Sequence, residues 1–211
     1  KDVTSSHTRE ISINLGSSES KVEIDEISKQ LGSFSGLREA KLEISHDANL
    51  TEKADFCKNH STKITHLILS EITFLNPILV HQTFDNLLTL HIQKCDLVSC
   101  SQTLADFILS CSSLKHLKIA YCDGLDIDAL NSIGRQLHTA QIEDFELLPT
   151  YSYYDGSSSE SQYWRIEKLK SFSVGSSSKE IVVMKKNFVK MMLGRMVCEN
   201  LTKLELNAEL S

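Results

Sequence analysis

One six-residue phrase, apolar-x-x-apolar-x-apolar, limits what this chain can fold into. It reads Ile64-Thr-His-Leu67-Ile-Leu69, Leu87-Leu-Thr-Leu90-His-Ile92, Leu114-Lys-His-Leu117-Lys-Ile119 and Leu201-Thr-Lys-Leu204-Glu-Leu206. Weaker copies begin at Leu37, Leu137 and Leu169, and a degenerate first copy begins at Thr8 with Ile11 and Ile13. The starts 8, 37, 64, 87, 114, 137, 169 and 201 give steps of 29, 27, 23, 27, 23, 32 and 32 residues. A fixed period of about 20–29 residues signals a stack of small units, none of which can bury its apolar face alone. The last two residues of the phrase alternate at period two, so they share one face of a strand and the residues between them point the other way.

Helical spacing fills the gaps between phrases. Ile24, Ile27, Leu31 and Phe34 step by three and four, as do Leu104, Phe107, Ile108 and Cys111. Ile127, Leu130, Ile133 and Leu137 form a third set, and Phe188, Met192 and Met196 a fourth. A strand followed by a helix, repeated with a right-handed crossover, gives parallel strands on one side and helices on the other. The expected fold is therefore an α/β solenoid of seven to eight irregular units, with strands on the concave face and helices on the convex one. Residues 1–211 read as a single domain with an insertion loop at 148–164. The abrupt start and finish suggest part of a longer protein.

The segment Cys111-Ser-Ser-Leu114-Lys-His-Leu117-Lys-Ile119-Ala-Tyr-Cys122 resembles the cysteine-containing leucine-rich repeat, which shows Cys-x-x-Leu-x-x-Leu-x-Leu-x-x-Cys before a turn and a helix. Cys198-Glu-Asn-Leu201 matches its first half, and Leu87 to Cys95 its second, with Phe84 in place of the first cysteine. The resemblance is close over residues 84–135 and loose elsewhere. It implies a ribonuclease-inhibitor-like leucine-rich-repeat solenoid. This repeat type is best known from the substrate-recognition half of F-box proteins, so it also implies capture of a protein for ubiquitination. The ligase scaffold would then be bound through a segment not present here. An immune or receptor-type sensor, or a plain interaction scaffold, are the alternative readings.

Four of the six cysteines fall on two repeat positions: Cys111 and Cys198 before the anchor leucine, Cys95 and Cys122 after it. Small apolar side chains fill such ladders, and a buried thiol there is a compact hydrophobe that donates weakly to loop carbonyls. Reduced thiols, and hence a cytoplasmic or nuclear protein rather than a secreted one, are expected. Three glycosylation triplets, at Asn49, Asn59 and Asn200, point the other way. The net charge of −6 disfavours nucleic acid, whose phosphates need a basic footprint. No run reaches the ~18–20 apolar residues of a membrane span.

The expected partner is a protein. The candidate contact residues are Ile68, His91, Lys118 and Gln141, taken as equivalent positions of successive units. Thr65, His66, Thr89, Lys115, His116 and Tyr121 flank them. Tyr153, Tyr154 and Trp164 join the group from the insertion loop, because aromatic residues are favoured in interface hot spots. His66, His91, His116 and His138 do not share one repeat position, which argues against a metal site. Cys95 and Cys100 lack a second ligand pair, and Cys57 with His60 is isolated. Asp123, Asp126 and Asp128 lack the glutamate and glycine of a calcium loop, and Asp126 reads as a helix cap. Lys185, Lys186 and Lys190 read as the solvated face of a helix. No nucleotide loop, zinc-protease or serine-hydrolase signature occurs. No catalytic residue, cofactor or metal is expected.

Overall fold

The computed structural model describes residues 10–35, 37–80, 82–124, 142–148, 164–165, 169–175, 183–184, 196–197, 200–207 and 209–210. The described elements are β1 (Glu10–Leu15), α1 (Lys21–Ser33), β2 (Glu39–Ser45), α2 (Leu50–His60), β3 (His66–Ser70), α3 (Asn76–Leu79), β4 (Thr89–Gln93), α4 (Ser101–Ser110), β5 (His116–Ala120) and β6 (Asp144–Leu148). Then come β7 (Trp164–Arg165), β8 (Ser171–Gly175), β9 (Val183–Met184), β10 (Met196–Val197), β11 (Lys203–Asn207) and β12 (Glu209–Leu210). The fold is α/β. One eight-stranded sheet runs β1-β2-β3-β4-β5-β6-β8-β11, and every neighbouring pair is parallel. Two further two-stranded parallel ladders join β7 to β10 and β9 to β12.

Strand register stacks the recurring phrase. Ile13, Leu42, Leu67, Leu90, Leu117, Phe145, Phe172 and Leu204 face one another in sequence across the sheet. All but Leu204 are buried, with Leu67 and Leu90 wholly inaccessible. Leu204 is 46% exposed, and β11 is the edge strand of the sheet among the described residues. Leu15, Ile44, Leu69, Ile92, Ile119 and Leu147 form the second buried column.

The sixth phrase is displaced from its expected place. Phe145 and Leu147, not Ala140 and Ile142, hold the paired apolar positions, and Ile142 is the buried lead anchor. Ile142-Glu-Asp-Phe145-Glu-Leu147 supplies three large apolar groups where the Leu137 phrase offers an alanine. With this register the lead anchors Leu114, Ile142, Leu169 and Leu201 step by 28, 27 and 32. The insertion loop expected at 148–164 lies, apart from Leu148 and Trp164, outside the described residues.

Helices cover one side of the sheet. Helix α1 begins at a capping box in which Glu23 N–H donates to Ser20 Oγ and Ser20 N–H donates to Glu23 Oε2. It buries Ile24 and Leu31, as the spacing predicts. Lys63 Nζ donates to the carbonyls of Leu31, Gly32 and Phe34 at the end of α1, where orphan acceptors gather. Helix α4 buries Leu104, Phe107 and Ile108, and Cys111 ends it. Helix α2 has no clear apolar stripe, since its buried face includes Lys53 and His60. Met196 lies in strand β10, not in the helix its spacing suggested. The remaining residues of that pattern, and the one from Ile127 to Leu137, lie outside the described residues.

The five described cysteines are buried and carry no disulfide. Cys95 and Cys122 occupy equivalent places with equivalent bonds. Cys95 Sγ donates to Gln93 and Leu69 carbonyls, and Cys122 Sγ to Ala120 and Ile92 carbonyls. Burial pushes the Cys57 thiol up, and those of Cys100 and Cys111 to about 11. The contact with Cys95, followed by burial, raises Cys122 as well. The raised thiols of Cys57, Cys100, Cys111 and Cys122 act as packing groups, whereas the hydrogen bond with Cys122 lowers that of Cys95.

Candidate functional site

The face opposite the helices carries the polar residues of each strand. Two columns line it. The first runs Ser12, Lys41, His66, Thr89, His116, Asp144, Ser171 and Lys203; the second runs Asn14, Glu43, Ile68, His91, Lys118, Glu146, Ser173 and Glu205. Ile68, His91 and Lys118 therefore share a column, as expected, and His66 and His116 stand in the adjacent one. Glu146, not Gln141, is the next member after Lys118, because β6 is displaced as described. Gln141 lies outside the described residues, as do His138, Tyr153 and Tyr154. Trp164 belongs to the β7–β10 ladder and not to this sheet.

A trough of about 430 Å³ opens on this face from β4 to β11. Its shape follows from side-chain length. Ser171 and Ser173 are short, and the strands on either side carry Asp144, Glu146, Lys203 and Glu205. Strands β5 and β6 are already paired: Lys118 Nζ lies 2.8 Å from Glu146 Oε2 and His116 Nδ1 lies 2.6 Å from Asp144 Oδ2. On β11, Lys203 Nζ lies 2.9 Å from Glu205 Oε1.

His91 sits at the β4 end of the trough. Its Nε2 has no hydrogen-bond partner and no exposure to solvent. Burial first, and then the ammonium groups of Lys118 and Lys41, lower its pKa against the opposing pull of Glu146. The ring is held neutral near pH 7, with one polar atom unsatisfied, a condition that folded proteins avoid.

The rim beyond the strand ends has its own regularity. His46, Glu71, Lys94 and Tyr121 each follow directly on a strand, and all adopt positive φ, between 51° and 62°. Their backbones are fixed by the next rung: His46 N–H donates to Ser70, Glu71 N–H to Gln93, and Lys94 N–H to Ala120. Left-handed backbone costs an L-residue roughly 1–2 kcal/mol. Four successive rungs accept it to turn the chain off the sheet. Glu71 links its neighbours, with His46 at 3.4 Å and Lys94 at 3.1 Å. Tyr121 stands in this corner column, beside the open face rather than within the trough.

Two of the expected flanking residues bond to neighbouring strands or turns. Thr65 is buried; its Oγ1 accepts from Ala40 N–H at 3.0 Å and donates to Ala40 O at 3.2 Å. Lys115 lies in the turn before β5 and pairs with Glu143. The residues that sequence reading missed are Asp144, Glu146, Ser171, Ser173, Lys203 and Glu205. The signal for the last four was present, since their two phrases had been read. The Ile142 phrase, aligned correctly, gives the first two.

Among the described residues no group of three His, Cys, Asp or Glu side chains could hold a metal ion, and no helix is long and apolar enough to cross a membrane. Comparison with family models, with curated proteins and with solved structures finds no match to the chain.

Proposed function

We propose that the chain is a leucine-rich-repeat solenoid of the cysteine-containing type, and that the open face of its sheet binds another protein. The trough carries this reading: five neighbouring strands contribute paired charges, hydroxyls and one unsatisfied imidazole to a single concavity. Polar groups held in fixed geometry beside small side chains suit recognition of a partner's backbone and side chains. The stacked phrase and the equivalent bonds of Cys95 and Cys122 support the repeat type. That repeat type supports a role in presenting a captured protein to a ubiquitin ligase, as in F-box proteins.

The test is affinity capture from cells with variants of the open face. His91→Ala, Lys118→Glu and Tyr121→Ala are expected to lose partners that the wild-type protein retains. Lys58→Glu, on the exposed side of α2, is expected to keep them. Partners that survive all three face variants would refute the recognition face. Captured partners whose ubiquitination in cells is unchanged when the protein is depleted would remove the ubiquitin role and leave protein recognition standing.

A further inference from the structure

The order of charges across the trough specifies more than a general taste for protein. In the second column Lys118, Glu146, Ser173, Glu205 succeed one another on β5, β6, β8 and β11, and Lys203 sits against Glu205. Along this column the charges run positive, negative, gap, negative, while Lys203 stands in the first column on the same strand as Glu205. Each carboxylate is tied to its own ammonium through one oxygen, Glu146 Oε2 to Lys118 and Glu205 Oε1 to Lys203. Both glutamates flank the same short residue, Ser173. Their strands are two spacings apart, about 9–10 Å, which leaves room for one side chain between them.

We propose that this gap seats a lysine or arginine side chain of an extended partner segment, over Ser173 and between the carboxylates of Glu146 and Glu205. The inference rests on the open face being a recognition surface and names what that surface selects. A cation in the gap would have a carboxylate on each neighbouring strand of its own column, Glu146 and Glu205, whereas Lys118 stands one strand further off and Lys203 belongs to the adjacent column. A carboxylate placed there would meet two like charges at close range. Because each glutamate is already paired, the flanking charges cancel at a distance, so the preference is local and does not depend on the net charge of the partner. A planar guanidinium, with donors on both edges, can bridge two facing carboxylates, and the Ser173 hydroxyl lies at the floor of the seat. The first column differs. There Ser171 lies between Asp144 and Lys203, of opposite sign, so the same segment is expected to place an uncharged polar group at that level.

Two measurements test the seat. The first needs no partner. Ser173→Lys places an ammonium in the gap from within, and Ser173→Glu places a carboxylate there. The lysine variant is expected to melt at the higher temperature in low salt, with the difference shrinking as sodium chloride is added. Equal melting temperatures, or the reverse order, would overturn the charge argument.

The second measurement incubates the full chain with an immobilised library of acetylated decapeptides randomised at every position. The peptides retained by the wild-type protein are expected to be enriched in lysine or arginine at one position. Glu205→Gln and Glu146→Gln are each expected to weaken the best such peptide by about tenfold, the loss of one charge-assisted contact. Ser173→Lys, which fills the seat itself, is expected to abolish the enrichment. A retained pool without a basic position overturns the seat and leaves the recognition face intact. So does a basic position that persists in Ser173→Lys. Failure to retain any peptide overturns the seat and also counts against the recognition face.

Discussion

Lys53 is wholly buried in α2, and its Nζ donates to three backbone carbonyls: Gly16 at 2.6 Å, Ser45 at 2.8 Å and His46 at 3.3 Å. Those carbonyls lie where the chain leaves β1 and β2, so one side chain closes the ends of two adjacent rungs. Lys53→Met keeps the length and most of the volume but removes every donor. Each of these part-buried carbonyls left without a partner costs up to about 1–3 kcal/mol. The 3.3 Å bond is the weakest of the three, so two bonds dominate and the gross loss is about 2–6 kcal/mol. Methionine also removes an ammonium whose burial opposes folding, and burial is the leading cause that lowers the Lys53 pKa. Nearby Glu19 and Asp47 offset that burial in part. The net expectation is a loss of about 2–4 kcal/mol.

For a chain of this length that loss lowers the melting temperature by roughly 5–15 °C. Urea unfolding followed by far-ultraviolet circular dichroism reads it, with the slope m unchanged. A loss below about 1 kcal/mol, or a gain, would refute the reasoning, because it would mean that the ammonium costs as much to bury as its three bonds return.

Three further outcomes follow from named groups. At the left-handed corner, Lys94→Gly is expected to be about 1 kcal/mol more stable than Lys94→Ala, since both lose the Glu71 contact and only glycine escapes the strain; equal stabilities by chemical denaturation would contradict this. Gly124→Ala is expected to cost more than about 2 kcal/mol, because a Cβ would clash with the backbone nitrogen of Val98 and φ is +70°; a melting temperature within a degree of wild type would contradict it. His60 and His91 both have folded pKa values below the ordinary histidine value, chiefly through burial, so the unfolded chain binds their protons more readily. Stability is therefore full above about pH 6.5 and falls as the pH drops below it. Replacing both by glutamine is expected to flatten the curve between pH 7 and 5, and an unchanged slope would exclude them as the cause.

Much of the fold was legible because stacked strands repeat the same physical demand. Leu67, Leu90 and Leu117 had to be apolar for one reason, and the phrase recorded that reason three times. Helix α2 escaped because Lys53 and His60 occupy two of its five buried positions. Both are satisfied by partners that no periodicity reveals: carbonyls for Lys53, and Ser28 Oγ at 2.7 Å for His60. The displaced β6 escaped because Leu137 and Ile142 fit the phrase almost as well as Ile142 and Leu147, and only pairing with β5 decides between them. A one-phrase error moved Gln141 into the contact column and left out Glu146. The trough was not legible, since its depth depends on Ser171 and Ser173 lying between longer side chains on strands remote in sequence.

The alternation that builds the sheet also separates its two tasks. Leu117 and Ile119 point inward and are buried, while His116 and Lys118 between and before them point outward and remain accessible. Core and contact residues thus interleave at single-residue spacing, yet they answer to different energies. A large-to-small change in the inward set costs about 2–5 kcal/mol through the cavity left behind. Changes in the outward set disturb only half-exposed ion pairs, worth about 0–1 kcal/mol each. Lys118→Glu should therefore fold nearly as well as wild type even though it breaks the pair with Glu146. Loss of binding in that variant would then report on the surface rather than on the fold. His91 is the exception in the outward set, because its Nε2 is already buried and unpaired. His91→Ala removes that burden, so it should cost little stability, and a strongly destabilised His91→Ala would place the ring among the scaffold residues instead.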